Sequence, residues 1–414
     1  MEQTAERSQV PHSCPLCGLV TKGPAGLAPH ARFKHPEVAL IARRGKDWRL
    51  GYPSIAECLA AAANNHKVAS VDAIPGTEDA YCLSIPGLNN FALADGVFVH
   101  NCGNMAVRLD TPFSQIEGNI GAIIKDVHSV ISFGVGRSND ERVEHELFDD
   151  SDAWRESEMG AYRQKAATQL GTVGSGNHYV DLMRDEAGFV WIGAHFGSRG
   201  LGHTSATRYL KAAGGKDGMN VPPAVIDEDS EIGRRYIAAM QLAGRYSYAG
   251  REWVIERVRD IIGGTVTDMV HNHHNYAWRE NHGGRDLWVV RKGATPAFPG
   301  QRGFVGGSMG DDAVIVEGVD SAVAKASLYS TIHGAGRLFG RKEAKRRFTR
   351  AEMDAWLQSR GVTLIGADLD ESPMAYRRLP EVLAEHSGSI KVLHTLRPFA
   401  VAMAGEREFD PFKD

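Results

Sequence analysis

The sequence lacks three features that would assign it to a broad class at once. No apolar run reaches the roughly 18 residues that a membrane-spanning helix needs, and the amino terminus, MEQTAERSQV, is polar rather than signal-like. No cysteine follows Cys102, and crowding of all five cysteines into the first quarter of the chain argues against a disulfide framework. The net charge of −4 leaves any nucleic-acid binding to local basic patches. These absences predict a cytoplasmic protein with no membrane partner.

The chain has the composition of ordinary globular domains. It is 414 residues long, 43% hydrophobic and 24% charged, which is enough for two or three domains. One local basic patch is present at Gly340 to Arg350, GRKEAKRRFTR, where six basic residues accompany one acid. Such a run is either a solvated helix face or a contact for a nucleic-acid backbone, and composition leaves both readings open.

Cysteine and histidine near the amino terminus have the spacing of a zinc site. The segment from Cys14 to His35 follows the pattern C-x2-C-x12-H-x4-H, in which two thiolates and two imidazoles can close a tetrahedral site. The sequence therefore predicts a zinc-finger-like module at residues 14–36, after a polar tail at residues 1–13. The alternative is an arm with incidental cysteine and histidine, and a finger here could bind DNA, RNA or protein. The predicted zinc ligands are Cys14, Cys17, His30 and His35.

A segment of different character begins after a linker at residues 37–65, in which Ser54 to Ala63 predicts a short helix. Residues 66–101 consist of short β-branched runs broken by Pro-Gly, Gly-Leu-Asn-Asn and Ala-Asp-Gly, which is typical of hairpins. In its length, and in its NFAL followed by G-x-x-x-H-N, this β-rich segment resembles the C-terminal piece of an intein. Its departures from the common intein pattern are Asn89 and Cys82.

The chemistry of the last residues agrees with that resemblance. The side-chain amide of Asn101 can attack its own backbone carbonyl and break the chain after itself, and His100 can supply a proton to the leaving amine. The thiol of Cys102 can first take over the acyl chain. Residues 1–65 carry no matching N-terminal intein half. We therefore expect either that a separate polypeptide supplies that half in trans, with the upstream part of the enzyme, or that the gene is a remnant.

From Cys102 onward, histidines recur beside glycine turns. A lone histidine is usually a core or surface residue, but this repetition indicates a metal and phosphate site, since a glycine turn lets backbone N–H groups approach an anion closely. The motifs with glycine are GTVGSGNHYVDL with Asn177 and His178, GFVWIGAHFGSRGLGH with His195, and STIHGAGR with His333. A fourth motif without glycine, MVHNHHNYAWRE, holds His271, His273 and His274 within four residues, which is more imidazole than packing requires.

These motifs and their order resemble the RtcB family of RNA-splicing ligases along essentially all of residues 102–414. The matching stretches are CGNMAVRLDT, GSGNHYVDL, HFGSRGLGH, HHNYAWRE, RKGATPAFPGQRGFVGGSMG, HGAGR and DESPMAYR. The resemblance implies an RtcB-like catalytic domain, lacking its N-terminal part, that uses GTP and manganese. It further implies joining of RNA 2',3'-cyclic phosphate or 3'-phosphate ends to 5'-hydroxyl ends in tRNA splicing or RNA repair. The implied partners are tRNA halves or broken RNA ends, and an archease-like activator.

The resemblance also implies roles for individual residues. His333 would carry GMP as a covalent intermediate, and Arg199 and Arg337 would contact phosphate or RNA. Two Mn²⁺ ions would be held by Cys102, His178, His195 and His274. The guanylate would be lined by Asn177, His178, Tyr179, Val180, Asp181, His274, Asn275, Gly306, Gly307, Ser308, Met309, Ala313, His333, Gly334, Ala335 and Gly336.

Three departures from the family pattern are visible. Ala404 replaces a near-terminal lysine that often contacts guanine in the family. Val99 stands where the family has an aspartate three residues before the metal-binding cysteine. Gly306 and Ala313 replace a common proline and serine of the guanylate loop. Two rival functions also stay open: a metal-dependent phosphohydrolase of RNA ends that makes no covalent use of His333, and an inactive remnant whose finger binds nucleic acid.

The pattern of apolar residues predicts an α+β fold for the catalytic domain. Ser230 to Gly264 carries helical periodicity. Thr349 and Glu352 have the spacing of a capping box, which predicts a helix that ends at Gly361. Strands should lead into the histidine motifs, and glycine turns should leave them.

Overall fold

The computed structural model describes residues 101–215 and 226–405, together with the backbone of two short strands near the amino terminus. The chain divides into two compact units, Met1–Phe91 and Ala92–Asp414. In the first unit, β1 (His12–Ser13) pairs antiparallel with β2 (Val20–Thr21), so that His12 lies opposite Thr21. The predicted zinc ligands, His100 and the intein-like segment up to that residue lie outside the described residues, so their interpretation stays a prediction.

The second unit mixes helices and strands. Its strands are β3 (Gly103–Pro112), β4 (Tyr179–Arg184), β5 (Phe189–Phe196), β6 (Val266–His273), β7 (Asn275–His282), β8 (Arg285–Lys292), β9 (Ala294–Pro296), β10 (Arg302–Val305), β11 (Ala313–Gly318), β12 (Ser330–Ile332), β13 (Thr363–Ile365) and β14 (Ile390–Met403). Its helices are α1 (Phe113–Ile116), α2 (Ile120–Val130), α3 (Ser151–Glu156), α4 (Arg163–Gln169), α5 (Arg199–Ala212), α6 (Glu231–Ile262), α7 (Ala322–Ala326), α8 (Arg341–Arg347), α9 (Arg350–Arg360) and α10 (Leu379–Glu385). Short 3-10 turns lie at Glu117–Asn119, Glu146–Phe148, Gly160–Tyr162, Leu369–Glu371 and Pro373–Ala375.

One large antiparallel sheet organises the unit, with strand order β10-β11-β14-β4-β5-β3-β6, and β13 adds to β14 in parallel. The sheet nearly closes into a barrel, because its two end strands meet through side chains rather than a backbone ladder. Asn272 of β6 accepts a hydrogen bond from the backbone N–H of Phe304 in β10 at 3.1 Å. The guanidinium of Arg302 in β10 donates two hydrogen bonds, of 2.6 and 2.7 Å, to the carboxylate of Asp268 in β6. Two smaller hairpin-like pairs, β7-β8 and β9-β12, lie outside this sheet.

Both helices predicted within residues 102–414 are confirmed, and the helix predicted at Ser54 to Ala63 lies outside the described residues. The hydroxyl of Ser230 accepts the backbone N–H of Gly233 and caps α6, which ends at Gly263. In α9, Thr349 and Glu352 form the full capping box, and Gly361 ends the helix with a left-handed backbone, φ 69°. Both ends are set by local hydrogen bonds, which is why the sequence alone predicts them.

The main core lies between one face of the sheet and helices α2 and α6. Val107 of β3, Ile124 of α2 and Val258 of α6 are fully buried in the same cluster. Each such side chain contributes about 1.5–3 kcal/mol by leaving water. Among the described residues, no helix combines the length and apolarity needed to cross a bilayer.

Candidate active site

The histidine motifs meet at one end of the large sheet. Cys102 directly precedes β3, His178 directly precedes β4, His195 lies near the end of β5, and His274 follows β6. These strands are antiparallel neighbours in the order β4-β5-β3-β6, so the start of β3 and of β4 lies beside the end of β5 and of β6. The sheet therefore brings together four residues that are up to 172 positions apart in the chain.

The four side chains form a tight group, named here the histidine cluster. The ligand atoms of Cys102, His178 and His195 all lie within 4.8 Å of one another, and Cys102 Sγ is 3.5 Å from His178 Nε2. The ring of His274 stacks on His195 with centroids 4.9 Å apart. The predicted metal ligands are thus neighbours in space.

The histidine cluster has the donor chemistry of a site for a divalent metal. A mixed set of thiol and imidazole ligands suits a borderline divalent cation such as Zn²⁺ or Fe²⁺. His274 Nδ1 is buried without a hydrogen-bond partner among the described residues, which is costly unless a ligand satisfies it. Cys102, His178 and His195 therefore fit such a metal, and His274 lies beside them through its contact with His195.

Asn104 supports the cluster and was not singled out by the sequence analysis. Its Oδ1 lies 2.6 Å from His195 Nδ1, and its Nδ2 donates to the carbonyl of Phe304 at 2.9 Å and to that of His333 at 3.3 Å. Hydrogen bonding to the second ring nitrogen fixes the orientation and tautomer of a metal-binding histidine. The only signal in the sequence was its place in the CGN motif.

Burial keeps the imidazoles of the cluster neutral. It lowers the pKa of His178 to about 3 and brings the pKa values of His195 and His274 well below their usual range. Burial also raises the pKa of the Cys102 thiol, and the guanidinium of Arg251 opposes this rise. Neutral imidazoles are the form that binds metal.

Arg251 is a second residue that the sequence analysis missed. Its side chain is fully buried in α6, where it donates to the carbonyl of Phe196 at 2.8 Å and to His271 Nε2 at 2.9 Å. Burial lowers the pKa of Arg251 to about 10. Its bond to His271 occupies one of the three clustered histidines of MVHNHHNY, and only His274 of that motif joins the metal-type cluster.

A cavity of about 250 Å³ adjoins the cluster and is named here the glycine cavity. Most of its wall comes from glycine turns, and burial raises the pKa of Asp181 well above its usual range. The predicted guanylate residues that line it are Asn177, Tyr179, Asp181, Gly306, Gly307, Ser308, Met309, His333, Gly334, Ala335 and Gly336. Of the others, His178 and His274 lie in the histidine cluster, Val180 and Ala313 are buried in apolar clusters, and Asn275 begins β7.

Gly306 lies close to the hydroxyl of Tyr179. A side-chain carbon at residue 306 would overlap the hydroxyl of Tyr179, whose ring stacks on His195 with centroids 5.3 Å apart. Tyr179 thus links the histidine cluster to the wall of the glycine cavity. A larger residue at position 306 would therefore require the Tyr179 hydroxyl to move.

His333 stands at the boundary between the two regions. It follows β12, lines the glycine cavity, and its ring centroid is 4.7 Å from that of His274. Burial lowers the pKa of His333, although a hydrogen bond to the backbone of Gly293 opposes the shift. A neutral imidazole keeps a lone pair and can act as a nucleophile.

The two predicted phosphate clamps are both held in place by hydrogen bonds. Arg337 lines the glycine cavity, where its Nη1 donates to Tyr376 at 2.8 Å and to the buried carboxylate of Glu371 at 3.2 Å. Glu371 also accepts from Arg341 at 2.6 Å. Arg199 has a left-handed backbone, φ 53°, and its Nε donates to Thr172 at 3.1 Å. The DESPMAYR motif supplies Glu371 and Tyr376, so it orients Arg337.

The basic patch at Gly340 to Arg350 forms α8 and the start of α9, and much of its charge is compensated. Arg341 pairs with Asp370 and Glu371, Lys345 with Asp368, and Arg346 with Glu343. The remaining exposed cations include Lys342 and Arg347. Compensation of this kind weakens the interpretation of the whole patch as an RNA contact.

A family model and individual known proteins that match this chain all carry the name of the RtcB ligases. A family model described as "tRNA-splicing ligase RtcB" matches residues 68–404. The RNA-splicing ligase RtcB of Escherichia coli K12 is 33% identical over 248 residues, which cover 55% of this chain and 59% of that protein. The tRNA-splicing ligase RtcB of Pyrococcus furiosus is 29% identical over 396 residues, covering 76% and 41%, and that of Archaeoglobus fulgidus 29% over 417 residues, covering 80% and 86%. The chain thus spans about half the length of several relatives that it matches.

Proposed function

Since the chain belongs to the tRNA-splicing ligase RtcB family, we propose that residues 102–414 carry an RNA ligase that joins 3'-phosphate or 2',3'-cyclic phosphate ends to 5'-hydroxyl ends with GTP. The position of His333 between the histidine cluster and the glycine cavity carries this proposal. A nucleophile at that boundary can reach a phosphate held by the glycine turns while staying beside the metal-type ligands.

The proposed reaction first activates the RNA 3'-phosphate, which is a poor electrophile. The free ring nitrogen of His333 attacks the α-phosphorus of GTP, the bond to the β-phosphate oxygen breaks, and pyrophosphate leaves. The RNA 3'-phosphate then displaces His333 and takes GMP. The 5'-hydroxyl attacks the activated phosphate, expels GMP and loses its proton. A 2',3'-cyclic phosphate is first hydrolysed to the 3'-phosphate.

The chain's own residues divide the remaining work. Lowered pKa values at His333 and its neighbours keep the nucleophile neutral. Glu371 and Tyr376 hold Arg337 at the cavity wall, where a guanidinium can contact a phosphate. Two Mn²⁺ ions bound by Cys102, His178, His195 and His274 would neutralise triphosphate charge.

Mass spectrometry after incubation with GTP and Mn²⁺ tests this function. We expect a GMP adduct that maps to His333, and His333→Ala should abolish the adduct while metal content is retained. His394→Ala is the matched control, because His394 lies in β14 and is 37% exposed. A phosphohydrolase of RNA ends would consume RNA phosphates and leave His333 unlabelled, which would refute the ligase proposal.

We further propose that Cys102 becomes the seam of a spliced enzyme. Asn101 is fully buried, and its Nδ2 donates to the carbonyl of Met240 at 2.7 Å. Val99 replaces a carboxylate that would add a hard anionic metal ligand, so the unspliced chain should ligate poorly. Adding a polypeptide that carries the upstream ligase segment and an N-terminal intein half should release residues 1–101, and Asn101→Ala should block release. Full ligation by the intact chain would contradict this proposal.

The amino-terminal module is proposed to bind one zinc ion through Cys14, Cys17, His30 and His35. The strand pair β1 and β2 flanks the two cysteines in the sequence, as expected for a knuckle between short strands. Deleting residues 1–36 should remove one equivalent of zinc without changing guanylylation. Unchanged zinc content would refute the assignment.

A further inference from the structure

Two histidines of MVHNHHNY are not used by the proposed chemistry. His271 accepts a hydrogen bond from Arg251 and lies 3.4 Å from Glu252. His273 faces a second cavity of about 640 Å³, whereas the next residue, His274, stacks on His195 in the histidine cluster. Successive residues of an extended strand point to opposite sides. One short segment therefore contributes to two sites.

The second cavity has aromatic walls and is named here the aromatic cavity. The His273 ring lies 4.4 Å from that of Tyr248 and 4.8 Å from that of Tyr276, with the latter pair only 9° from parallel. Tyr276 in turn contacts Trp278 with centroids 5.0 Å apart. Gly244 of α6 makes room for them, since a side-chain carbon there would lie 2.8 Å from the Tyr276 ring. The walls thus present flat rings beside open space.

The polar groups of the aromatic cavity exclude a purely apolar occupant. Gln241, Arg245 and Glu252 line it, and the hydrogen bond with His271 lowers the pKa of Glu252, so its carboxylate is charged. His273 Nδ1 is buried and has no hydrogen-bond partner among the described residues. An occupant with a flat face and a polar edge would stack on the rings and satisfy these groups.

We propose that the aromatic cavity binds an unpaired nucleobase of the RNA strand whose reacting end lies at the histidine cluster. This inference rests on the proposed ligase function. Unstacked bases bind proteins by stacking on aromatic side chains and by hydrogen bonding along their edges, and base amino groups match the carboxylate of Glu252. Because His273 and His274 are consecutive, the bound base belongs to a nucleotide close to the reacting end.

Tryptophan fluorescence tests the inference without requiring ligation. The full chain would be titrated with a 3'-phosphorylated, single-stranded RNA hexanucleotide, and stacking at Trp278 should quench part of the emission. The Trp278→Phe variant should lack that part of the quenching. Trp288→Phe is the matched control, because Trp288 lies in the paired strand of the same β7-β8 hairpin and does not line the cavity. Equal quenching in wild type and Trp278→Phe would overturn the inference.

Binding of abasic RNA provides a second measurement. By fluorescence anisotropy, removing the base at one of the three terminal nucleotides should weaken binding to the wild-type chain about tenfold, the usual effect of a lost stacking contact. Tyr276→Ala, checked for folding by circular dichroism, should bind intact RNA about tenfold more weakly and show no further loss with the abasic RNA. The inference would be overturned if the losses from Tyr276→Ala and from the abasic RNA were additive, or if removing the base at none of the three terminal nucleotides weakened binding.

The adduct experiment separates the two proposals. Guanylylation of His333 needs GTP and no RNA, so an absent adduct refutes the proposed ligase function whatever the cavity variants do. If the adduct forms normally, but substitution of Tyr276 and Trp278 leaves RNA binding and quenching unchanged, only the base-binding inference is refuted.

Discussion

The glycine cavity and the aromatic cavity differ in size and in lining, although consecutive residues lead to them: His273 lines the aromatic cavity, and His274 contacts His333 of the glycine cavity. The first holds about 250 Å³ and is walled by backbone turns, buried imidazoles and a buried carboxyl group. The second holds about 640 Å³ and is walled by aromatic rings. Backbone N–H groups at glycine turns suit phosphate, and aromatic faces suit planar rings. The contrast teaches that two consecutive residues at one strand end can serve two cavities of different lining.

Removing a metal-type ligand should have the largest effect and should be confined to the glycine side. We expect His195→Ala to lose essentially all bound Mn²⁺ and the GMP adduct, because the substitution removes an imidazole of the histidine cluster. Metal content by plasma mass spectrometry and adduct formation measure this. Quenching of Trp278 by RNA should persist, and its loss together with the metal would show that the two cavities are not separate.

Removing the Asn104 side chain, which contacts His195, should have a smaller effect on metal binding. Asn104→Ala removes the contact to His195 Nδ1, and we expect metal affinity to fall about 10–100-fold, measured by competition with a chelator. Asn139→Ala is the matched control, because Asn139 Nδ2 also donates to a backbone carbonyl, that of Leu170 at 2.7 Å, away from the cluster. Equal losses in both variants would mean that Asn104 acts only through stability.

Narrowing the glycine cavity should weaken nucleotide binding without removing the metal. The added methyl of Gly306→Ala overlaps the Tyr179 hydroxyl, and we expect about tenfold weaker binding of a fluorescent GTP analogue, a cost of order 1–3 kcal/mol for overpacking. Tyr179→Phe in the same chain should restore much of the affinity by removing that hydroxyl. Failure of this rescue would argue against the steric account.

Weakening the contact between the two end strands of the sheet should have the smallest effect, a modest loss of fold stability. The hydrogen bonds from Arg302 lower the pKa of Asp268, so the pair stabilises the fold at neutral pH and loses this contribution as pH falls below about 4, where the unfolded carboxyl is protonated. Asp268→Asn should cost about 1 kcal/mol at pH 7, and the difference from wild type should narrow toward pH 3. Urea unfolding measures this, with the more exposed Asp260→Asn as a control of near-zero effect. A constant difference across pH would contradict the assignment.

Several features of the fold could be predicted because their causes are local. Helix α6 follows from apolar periodicity and the Ser230 cap, and helix α9 from Thr349, Glu352 and Gly361. The candidate ligands Cys102, His178, His195 and His274 came from the resemblance of the sequence to the RtcB family. The structure brings Cys102, His178 and His195 together, stacks His274 on His195 and places His333 beside His274. Their roles as ligands and nucleophile stay predictions.

Supporting residues could not be predicted because their partners are distant in the chain. Asn104 contacts His195, 91 residues away, and the carbonyl of Phe304, 200 residues away. Arg251 lies in the long helix and contacts the carbonyl of Phe196 in β5. No local pattern marks an asparagine or an arginine for such a role, since only the packing of strands and helix creates the contact.

The sequence by itself determined the chemical types available: thiol, imidazole, glycine turns and aromatic rings at fixed spacings along the chain. The tertiary structure decided which of them share a site. Pairing of β3 with β5 and β6 puts Gly103 opposite Phe196 and His273, and this register directs His274 toward the cluster and His273 toward the aromatic cavity. The physical reason is the alternation of side chains along a strand, because a shift of one residue in the pairing would exchange the two faces.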